Sequence, residues 1–399
     1  MLHFSLTPAR LQRLTLALLL GLVVGYLLFL VAGKREGSAL LRGDFPAFFA
    51  AAELVWTGRG AELYDLGQQR ALQNHHWPDF AGGYYIFAYP PFFALLLAPL
   101  AALPPLAGKA LASLLLFAAF FGSLLLARRV SAFVSRYFLF TFIYLLTFAP
   151  LQIAIVGVQN TALSLFLFAL VLWGIHSQRP WWTGLSAALL CYKPQFGALL
   201  APFLLARRQR GEVLAWGLGL LGLYLLGVPV QGWTWPLAWL AAAHQFGEVN
   251  FTINAHNMIS LAGLSYWFFA ASLGAGATVL PWAYLGSAVL LLLSVWYLSR
   301  DPRRLVLAPA LVLLCSPQTL FYDIAIALLA LLTQLRPGEP RDFLILAAIW
   351  LYGAVALVMR DQFAFPLFSP LLLVIIGLQM HRLRAPPPSA PPPLGPRPA

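Results

Sequence analysis

Acidic residues are scarce in this chain, and several of them fall within one stretch near its beginning. The stretch runs from Gly33 to Pro91 and is the only long segment near the front that is too polar for hydrocarbon. Between Gly43 and Pro91 it holds five of the thirteen Asp and Glu residues, namely Asp44, Glu53, Glu62, Asp65 and Asp79. A carboxylate placed beside a hydroxyl group can accept its proton as a general base. This stretch is the first candidate for chemistry.

Asp44 is the carboxylate for which the sequence offers two definite roles. At the ordinary aspartate pKa of ~3.9 it is ionised at neutral pH and could take a proton from a sugar hydroxyl. It also directly precedes a helical pattern of apolar residues, and aspartate is a favoured N-cap. The apolar positions of that pattern are Phe45, Phe48, Phe49, Ala52 and Trp56. The sequence predicts a short helix lying on the membrane surface and leaves the choice between base and cap open.

The same stretch contains a second helix signal. Asp65-Leu66-Gly67-Gln68 is typical of a capping box, which predicts a short helix ending near Asn74. Asp65 is also a candidate for binding substrate hydroxyls.

Lys193 is the cation in the most unusual position. It lies with Pro194 and Gln195 between two apolar segments, Trp182–Tyr192 and Phe196–Ala206, each too short to cross about 30 Å of hydrocarbon. A cation at mid-membrane costs roughly 2.5–3.5 kcal/mol, so it usually has a function. Lys193, together with Gln195, could bind a lipid-linked phosphate. Alternatively, Lys193 reaches the membrane interface from a shallow hairpin.

Several neutral or acidic side chains at predicted helix ends complete the candidate site. Amides and phenols suit the hydroxyl groups of a sugar, although each alone is as typical of an ordinary helix end. The candidates are Gln159, Asn160, His256, Asn257, Tyr322 and Asp323 for substrate, with Tyr89 on the phosphate side.

Composition places the chain among polytopic membrane proteins. It is 61% apolar and 10% charged, with a mean hydropathy of +0.80, whereas about a quarter of the residues of soluble proteins are charged. The two cysteines, Cys191 and Cys315, lie in apolar runs and suggest neither a disulfide framework nor a metal–thiolate site. Despite a net charge of +12, Lys and Arg occur between apolar runs, which indicates a topological role and no nucleic-acid partner.

The apolar runs and their basic flanks predict about twelve crossings, including short ones, with both ends inside. The spans expected are Leu14–Ala32, a Pro-broken half-span Tyr89–Leu103, Leu106–Ala127, Tyr137–Ile153, Thr161–His176, the Lys193 hairpin, Val213–Val230, Pro281–Ser299, Leu305–Leu314, Phe321–Gln334, Phe343–Val358 and Pro366–Met380. With this topology, seventeen of the twenty-five Lys and Arg residues lie inside and nine of the thirteen acids lie outside.

The same assignment gives a single membrane domain over residues 1–385. Its outer face is formed by residues 33–91 and by a second segment, 231–260. Residues 386–399, mostly Pro and Ala, are expected to be a disordered cytoplasmic tail.

Motifs in consistent order between residues 40 and 330 resemble glycosyltransferase family 87, of the GT-C superfamily. They are Gly43-Asp44-Phe45, Gly58, Leu63-Tyr64-Asp65, Tyr89-Pro90-Pro91, Gly157 to Asn160, Lys193-Pro194-Gln195 and Ser316-Pro317. One departure is clear: where relatives often carry a histidine after the late Ser-Pro, this chain reads Thr319-Leu320-Phe321-Tyr322-Asp323. Tyr322 or Asp323 would have to substitute for that histidine.

The resemblance implies an all-α GT-C bundle acting at the outer face of a bacterial cytoplasmic membrane. It implies inverting transfer of a hexose, usually mannose, from a polyprenyl-phosphate donor to a lipid or glycan acceptor. Asp44 would be the catalytic base, and a lipid-linked donor agrees with the lack of a Gly-rich nucleotide motif. No cofactor is expected, and the adjacent His75 and His76 are weak grounds for a metal.

The alternative from another functional class is a transporter or flippase of a lipid-linked saccharide. Such a protein would place paired charges deep within full-length spans, whereas most charges of this chain lie at span ends.

Overall fold

The computed structural model describes Gly21 and residues 43–78, 85–274 and 276–384. Within these ranges the chain is helical, and the only β pairing is an isolated bridge between Met258 and Leu320. The helices are α1 Phe45–Trp56, α2 Leu66–His76, α3 Pro91–Leu97, α4 Pro105–Val130, α5 Ala132–Arg136, α6 Phe138–Leu146, α7 Ala149–Val156, α8 Thr161–His176, α9 Pro180–Leu189, α10 Pro194–Arg207, α11 Arg210–Gln231, α12 Trp235–Asn254, α13 Leu261–Leu273, α14 Gly276–Ser299, α15 Ala308–Cys315, α16 Ile324–Leu332, α17 Pro340–Phe363 and α18 Phe368–Arg384. The predicted span Leu14–Ala32, Asp79 and the tail 386–399 lie outside the described residues.

Four helices in this part of the chain are long and apolar enough to cross a membrane. They are α4, α11, α14 and the portion Pro340–Arg360 of α17. Helices α6 and α7 would make a fifth span if they act together, but they meet at a bend of 68°. By length and composition the structure supports four or five spans, so the predicted number of about twelve crossings is not confirmed.

At the predicted spans Leu305–Leu314 and Phe321–Gln334 the structure has helices that are too short to cross a membrane. Helix α15 has eight residues and α16 has nine, which correspond to roughly 12–14 Å of rise. Every residue of α16 is buried inside the protein. The apolar residues there pack inside the protein core. Hydropathy alone cannot distinguish a residue buried in protein from one that faces lipid.

The two short helices of the first outer stretch are present. Asp65 caps α2 by accepting hydrogen bonds from the backbone N–H groups of Gly67 and Gln68, at 2.7 and 3.1 Å, which confirms the predicted helix start. Helix α1 differs in its surroundings, because Phe45 to Ala52 and Leu54 are all buried. The prediction of a helix lying on the membrane surface is wrong; among the five residues of its predicted apolar face only Trp56 is exposed.

The hairpin around Lys193 has the predicted form. Helices α9 and α10 contain only ten and fourteen residues, and a 3-10 turn, Leu190–Tyr192, joins them at Lys193. Helix α9 packs closely on α11 at Gly184. A Cβ added at this position would lie 2.2 Å from the carbonyl oxygen of Glu212. Small residues allow such close packing of membrane helices.

The second outer segment is also more regular than expected. Residues 231–260 contain α12, a helix of twenty residues, and a 3-10 turn, Ala255–Asn257. This segment contacts the first outer stretch through Gln231, whose amide donates to the carbonyl oxygen of Gly60 at 2.8 Å. Trp239 donates in the same way to Ala88 at 3.0 Å. These hydrogen bonds join residues 231–260 to the stretch that ends at Pro91.

Candidate active site

Asp44 is fixed by the contact of two glycine-containing motifs. Its backbone N–H donates to the carbonyl oxygen of Gly157 at 3.1 Å. Gly43 precedes it with a φ of +136°, and a Cβ added there would lie 1.9 Å from the same oxygen. Only glycine fits this close approach and this backbone conformation. The motifs at positions 43–45 and 157–160 therefore form one structural unit, although more than a hundred residues separate them.

The side chain of Asp44 does not cap the helix that follows it. Asp44 occupies the N-cap position of α1, but its carboxylate makes no capping hydrogen bond. Instead, Oδ1 accepts a hydrogen bond of 3.1 Å from Nε2 of Gln159. Of the two roles left open by the sequence, the structure does not support the cap.

The environment of Asp44 makes its carboxylate a stronger base than an ordinary aspartate. Burial raises the pKa of Asp44 from 3.8 to about 6, opposed by the Gln159 hydrogen bond and by the positive charge of Lys193, while the negative charge of Asp323 adds to the increase. The residue nevertheless retains partial exposure. A carboxyl with this pKa is roughly 90% ionised at pH 7 and has a pKa suited to general base catalysis near neutrality.

Lys193 and Asp323 form a buried ion pair. The ammonium nitrogen lies 3.2 Å from Oδ1 and 3.4 Å from Oδ2 of the carboxylate, and only 8% and 3% of the two side chains are exposed. Thr161 donates a further hydrogen bond of 2.7 Å to Oδ1 of Asp323. This burial contradicts the alternative in which Lys193 reaches the membrane interface.

One short loop holds both carboxylates. Gln159 donates to Asp44, and Thr161, two residues later, donates to Asp323. Between them, the carbonyl oxygen of Asn160 accepts from the hydroxyl group of Tyr192 at 2.9 Å. Residues 159–161 at the start of α8 therefore contact both acids, and the lysine is bound to the second of them.

The side chain of Asn160 is a buried amide close to the hydroxyl group of Tyr89. Asn160 is only 3% exposed, and its Nδ2 makes no hydrogen bond of normal distance and angle in the described part of the chain. Because an unsatisfied buried donor is unfavourable, such a group is usually explained by a water or ligand that it binds. This favours the predicted role of Asn160 in holding a hydroxyl group.

Tyr89 is positioned by two glutamines of α2. The side chain of Gln69 pairs with the backbone of Phe87, and that of Gln73 pairs with the backbone of Tyr85. Gln69 and Gln73 are four residues apart, a rise of about 6.0 Å along the helix, and Tyr85 and Phe87 are two residues apart, about 6.6 Å along an extended chain. The two side-chain amides therefore have nearly the same spacing as the two backbone groups that they bind. They fix the extended chain that leads to Tyr89, whose ring lies parallel to that of Tyr192 at a centroid distance of 6.4 Å.

A series of hydrogen-bonded amides connects the Lys193 loop to the second outer segment. Gln195 donates to the backbone oxygen of Gln318 at 3.5 Å, and the side-chain oxygen of Gln318 accepts from Asn250 at 2.9 Å. Asn254 bonds to Asn250 at 2.7 Å.

The series ends at Asn257, which donates to Asn254 at 3.3 Å and lies 3.0 Å from a ring nitrogen of His256. The buried Oδ1 of Asn257 has no partner among the described residues. We call this set the amide series: Gln195, Gln318, Asn250, Asn254 and Asn257.

The structure brings together some of the predicted residues and leaves one apart. Asp44 and Asp323 both interact electrostatically with Tyr322, which is buried next to them. Asp65 is exposed, and its carboxylate caps α2, so nothing in the structure places it with the other candidates.

Sequence reasoning missed several residues of the site. Thr161, Tyr192, Asn250 and Gln318 make the contacts described above. Thr161 and Tyr192 each adjoin a predicted residue, Asn160 and Lys193, and adjacency was the only available signal.

The fold and the site define a helical membrane protein with a buried, charged polar site among short helices. The model of glycosyltransferase family 87 matches residues 87–317, more than half of the chain, so the chain belongs to this family. No curated protein matches it. Tyr89, Asn160 and Lys193 lie within the matched region, whereas Asp44 precedes it and Asp323 follows it.

Proposed function

We propose that this glycosyltransferase moves a hexose, mannose being the first candidate, from a polyprenyl-phosphate donor to a hydroxyl group of a lipid or glycan acceptor. Membership of the family supports glycosyl transfer. The observation that carries the proposed chemistry is the carboxylate of Asp44, which is held by Gln159 and not used as a helix cap.

The proposed reaction is a single displacement that inverts the anomeric carbon. The acceptor O–H bond breaks and its proton goes to Asp44 as the acceptor oxygen bonds to the anomeric carbon. The bond from that carbon to the phosphate oxygen breaks, and its electron pair leaves with the polyprenyl phosphate. A pKa of about 6 for Asp44 lets the residue be ionised before the reaction and accept the proton during it.

The charges of the site change in the direction that this reaction requires. Asp44, Lys193 and Asp323 together carry a formal charge of −1 at neutral pH. When Asp44 takes up the proton, the three residues together become neutral while a second negative charge develops on the leaving phosphate. The site then repels the phosphate less at that moment than before the reaction.

In this proposal Lys193 binds the leaving phosphate, while Asp323 holds Lys193 in place and Thr161 holds Asp323. An ammonium group has three N–H donors, and a lysine anchored by a carboxylate loses little additional side-chain entropy when a phosphate binds. Gln195 and Tyr89 border the same region, next to Lys193 and Tyr192 respectively.

The amides of the site suit the hydroxyl groups of the sugar and of the acceptor. The Nδ2 of Asn160, near the hydroxyl group of Tyr89, is a donor without a well-formed hydrogen bond, and the Oδ1 of Asn257 is an acceptor without a partner among the described residues. A hydroxyl group can satisfy either. The lipid tail of the donor would lie among the short helices α3, α9 and α10, which leave the hydrocarbon region incompletely crossed by the protein.

The proposed location is a bacterial cytoplasmic membrane, with the site on the outer side and both chain ends in the cytoplasm. The excess of Lys and Arg at the opposite ends of the helices supports this orientation. A transporter or flippase is less well supported, since the buried pair of Lys193 and Asp323 joins two helix starts and does not lie within a full-length span.

The test is transfer by the purified protein in lipid nanodiscs. Radiolabelled polyprenyl-phosphate mannose and extracted native lipids are supplied, and the expected result is label in a new lipid or glycan product. Nucleotide-linked mannose in a parallel sample should give none. Transfer from the nucleotide sugar alone would overturn the proposed donor. Movement of intact donor across the bilayer of sealed proteoliposomes, without transfer, would favour the flippase.

A further inference from the structure

A cavity lies at the end of α10 that is remote from Lys193. Its volume is about 520 Å³, within the range of roughly 300–1,000 Å³ that is usual for ligand sites. Its polar wall is formed by Gln178, Arg207, Gln209, Glu212 and Ser299. Helix α10 begins beside Lys193 and ends at Arg207, so about 21 Å of helix separates the cavity from the candidate active site.

The polar wall contains a fixed arginine. Arg207 donates to both carboxylate oxygens of Glu212, from Nε at 2.8 Å and from Nη2 at 2.9 Å. Glu212 is only 2% exposed. The pair therefore makes this part of the polar wall rigid and electrically neutral.

The surroundings of the cavity are strongly basic. Arginines stand next to the lining residues in each of the chain segments that form it: Arg179, Arg208, Arg210, Arg300, Arg303 and Arg304. Together with Arg207, and after subtraction of Glu212 and Asp301, they give a formal charge of +5. Arg179, Arg208 and Arg210 are exposed and make no ion pair within the described ranges.

The opposite wall is apolar and continues toward the middle of the helices. Ile175, Phe203 and Leu305 line the cavity and also a narrow crevice beyond it, between α8 and α10. A ligand here would meet cations at the mouth and hydrocarbon further in.

Three exposed tryptophans follow lining residues of the cavity in the sequence. Trp181 and Trp182 begin α9, and Trp296 lies near the end of α14, with 49%, 53% and 56% of their surfaces exposed. Tryptophan is enriched where the membrane meets water. The cavity therefore opens at the depth at which lipid head groups lie.

We propose that this cavity, here called the basic cavity, binds an anionic phospholipid. Its phosphate would lie among Arg179, Arg208 and Arg210, and the first part of its acyl chains along the apolar wall. Basic pockets between membrane helices recognise anionic head groups by this combination of charge and depth. The inference requires neither a sugar donor nor an active Asp44.

The experiment measures lipid binding in the absence of any sugar substrate. The full chain in phosphatidylcholine nanodiscs is titrated with phosphatidylglycerol, and retained lipid is counted by native mass spectrometry. The triple variant R179Q/R208Q/R210Q is compared with R128Q/R129Q/R136Q, which removes the same number of exposed arginines from the turn between α4 and α6. We expect the first variant to bind phosphatidylglycerol roughly tenfold more weakly than the second.

A further variant tests whether the shape of the basic cavity matters independently of its charge. Ser299→Trp fills the mouth of the basic cavity without altering any charge, and it should also weaken phosphatidylglycerol binding. Equal losses in the two triple variants would overturn the proposal, because they would indicate general attraction to a basic surface. Glycerol phosphate that competes as well as the lipid would also overturn it, since the site would then take a soluble phosphate.

Discussion

The buried ion pair between Lys193 and Asp323 allows structural and catalytic roles to be separated. Both side chains are nearly inaccessible, with 8% and 3% exposed, and removal of one partner of such a pair costs about 3–5 kcal/mol of stability because the other charge stays buried without compensation. We therefore expect Lys193→Met to melt at a distinctly lower temperature than the unmodified protein.

The informative variant removes both charges at once. In K193M/D323N neither charge of the pair is left buried without the other, and the amide oxygen introduced at position 323 can still accept the hydrogen bond of Thr161. We expect this double variant to recover most of the stability lost in K193M. If Lys193 binds the donor phosphate, the recovered protein should nevertheless transfer sugar poorly and require a much higher donor concentration.

Thermal unfolding in detergent and initial rates over a range of donor concentrations measure the two effects. Recovery of both stability and donor use in the double variant would refute the phosphate role, since Lys193 would then serve only to neutralise Asp323. A K193M protein as stable as the unmodified one would refute the ion pair itself.

Two further predictions concern how Asp44 is tuned and held. Transfer should fall as the pH is lowered through about 6, the pKa of Asp44, because the base becomes protonated. Gln159→Leu removes a hydrogen bond that stabilises the carboxylate, so the acid limb of its pH–rate profile should lie at higher pH. An acid limb near pH 4 in both proteins would contradict the assignment of Asp44 as the base. Gly43→Ala should abolish transfer or folding, since its Cβ would lie 1.9 Å from the Gly157 carbonyl oxygen, whereas Gly222→Ala, with open space around it, should behave as the unmodified protein in the same assays.

Local features of the chain could be predicted from the sequence. The cap at Asp65, the break at Pro90 and Pro91, and the short hairpin around Lys193 each depend on a few neighbouring residues with strong preferences. Family motifs also identified which polar residues to consider before their geometry was known.

Contacts over long sequence distances could not be predicted in this way. Asp323 was a candidate on its own, but nothing in the sequence paired it with Lys193 or with Thr161, which are 130 and 162 positions away. Asp44 and Gln159 are 115 positions apart. Such pairs depend on how helices pack, and helix packing leaves little trace in hydropathy.

The burial of α1 and α16 was missed for a related reason. Hydropathy records that Phe48 or Ile326 avoids water, but not whether lipid or protein surrounds it. The structure surrounds both with protein. Because α16 lies in a predicted span, its burial reduces the number of helices available to cross the membrane.

The most direct measurement of the central claim is sugar transfer by the Asp44→Asn protein. Asparagine keeps the shape of the side chain but cannot take up the acceptor's proton at neutral pH, so we expect unchanged abundance and melting temperature with transfer lowered roughly 10²–10⁴-fold. Asp44→Asn that transfers sugar at nearly the normal rate would contradict the account, and the base would then have to be sought at Asp323.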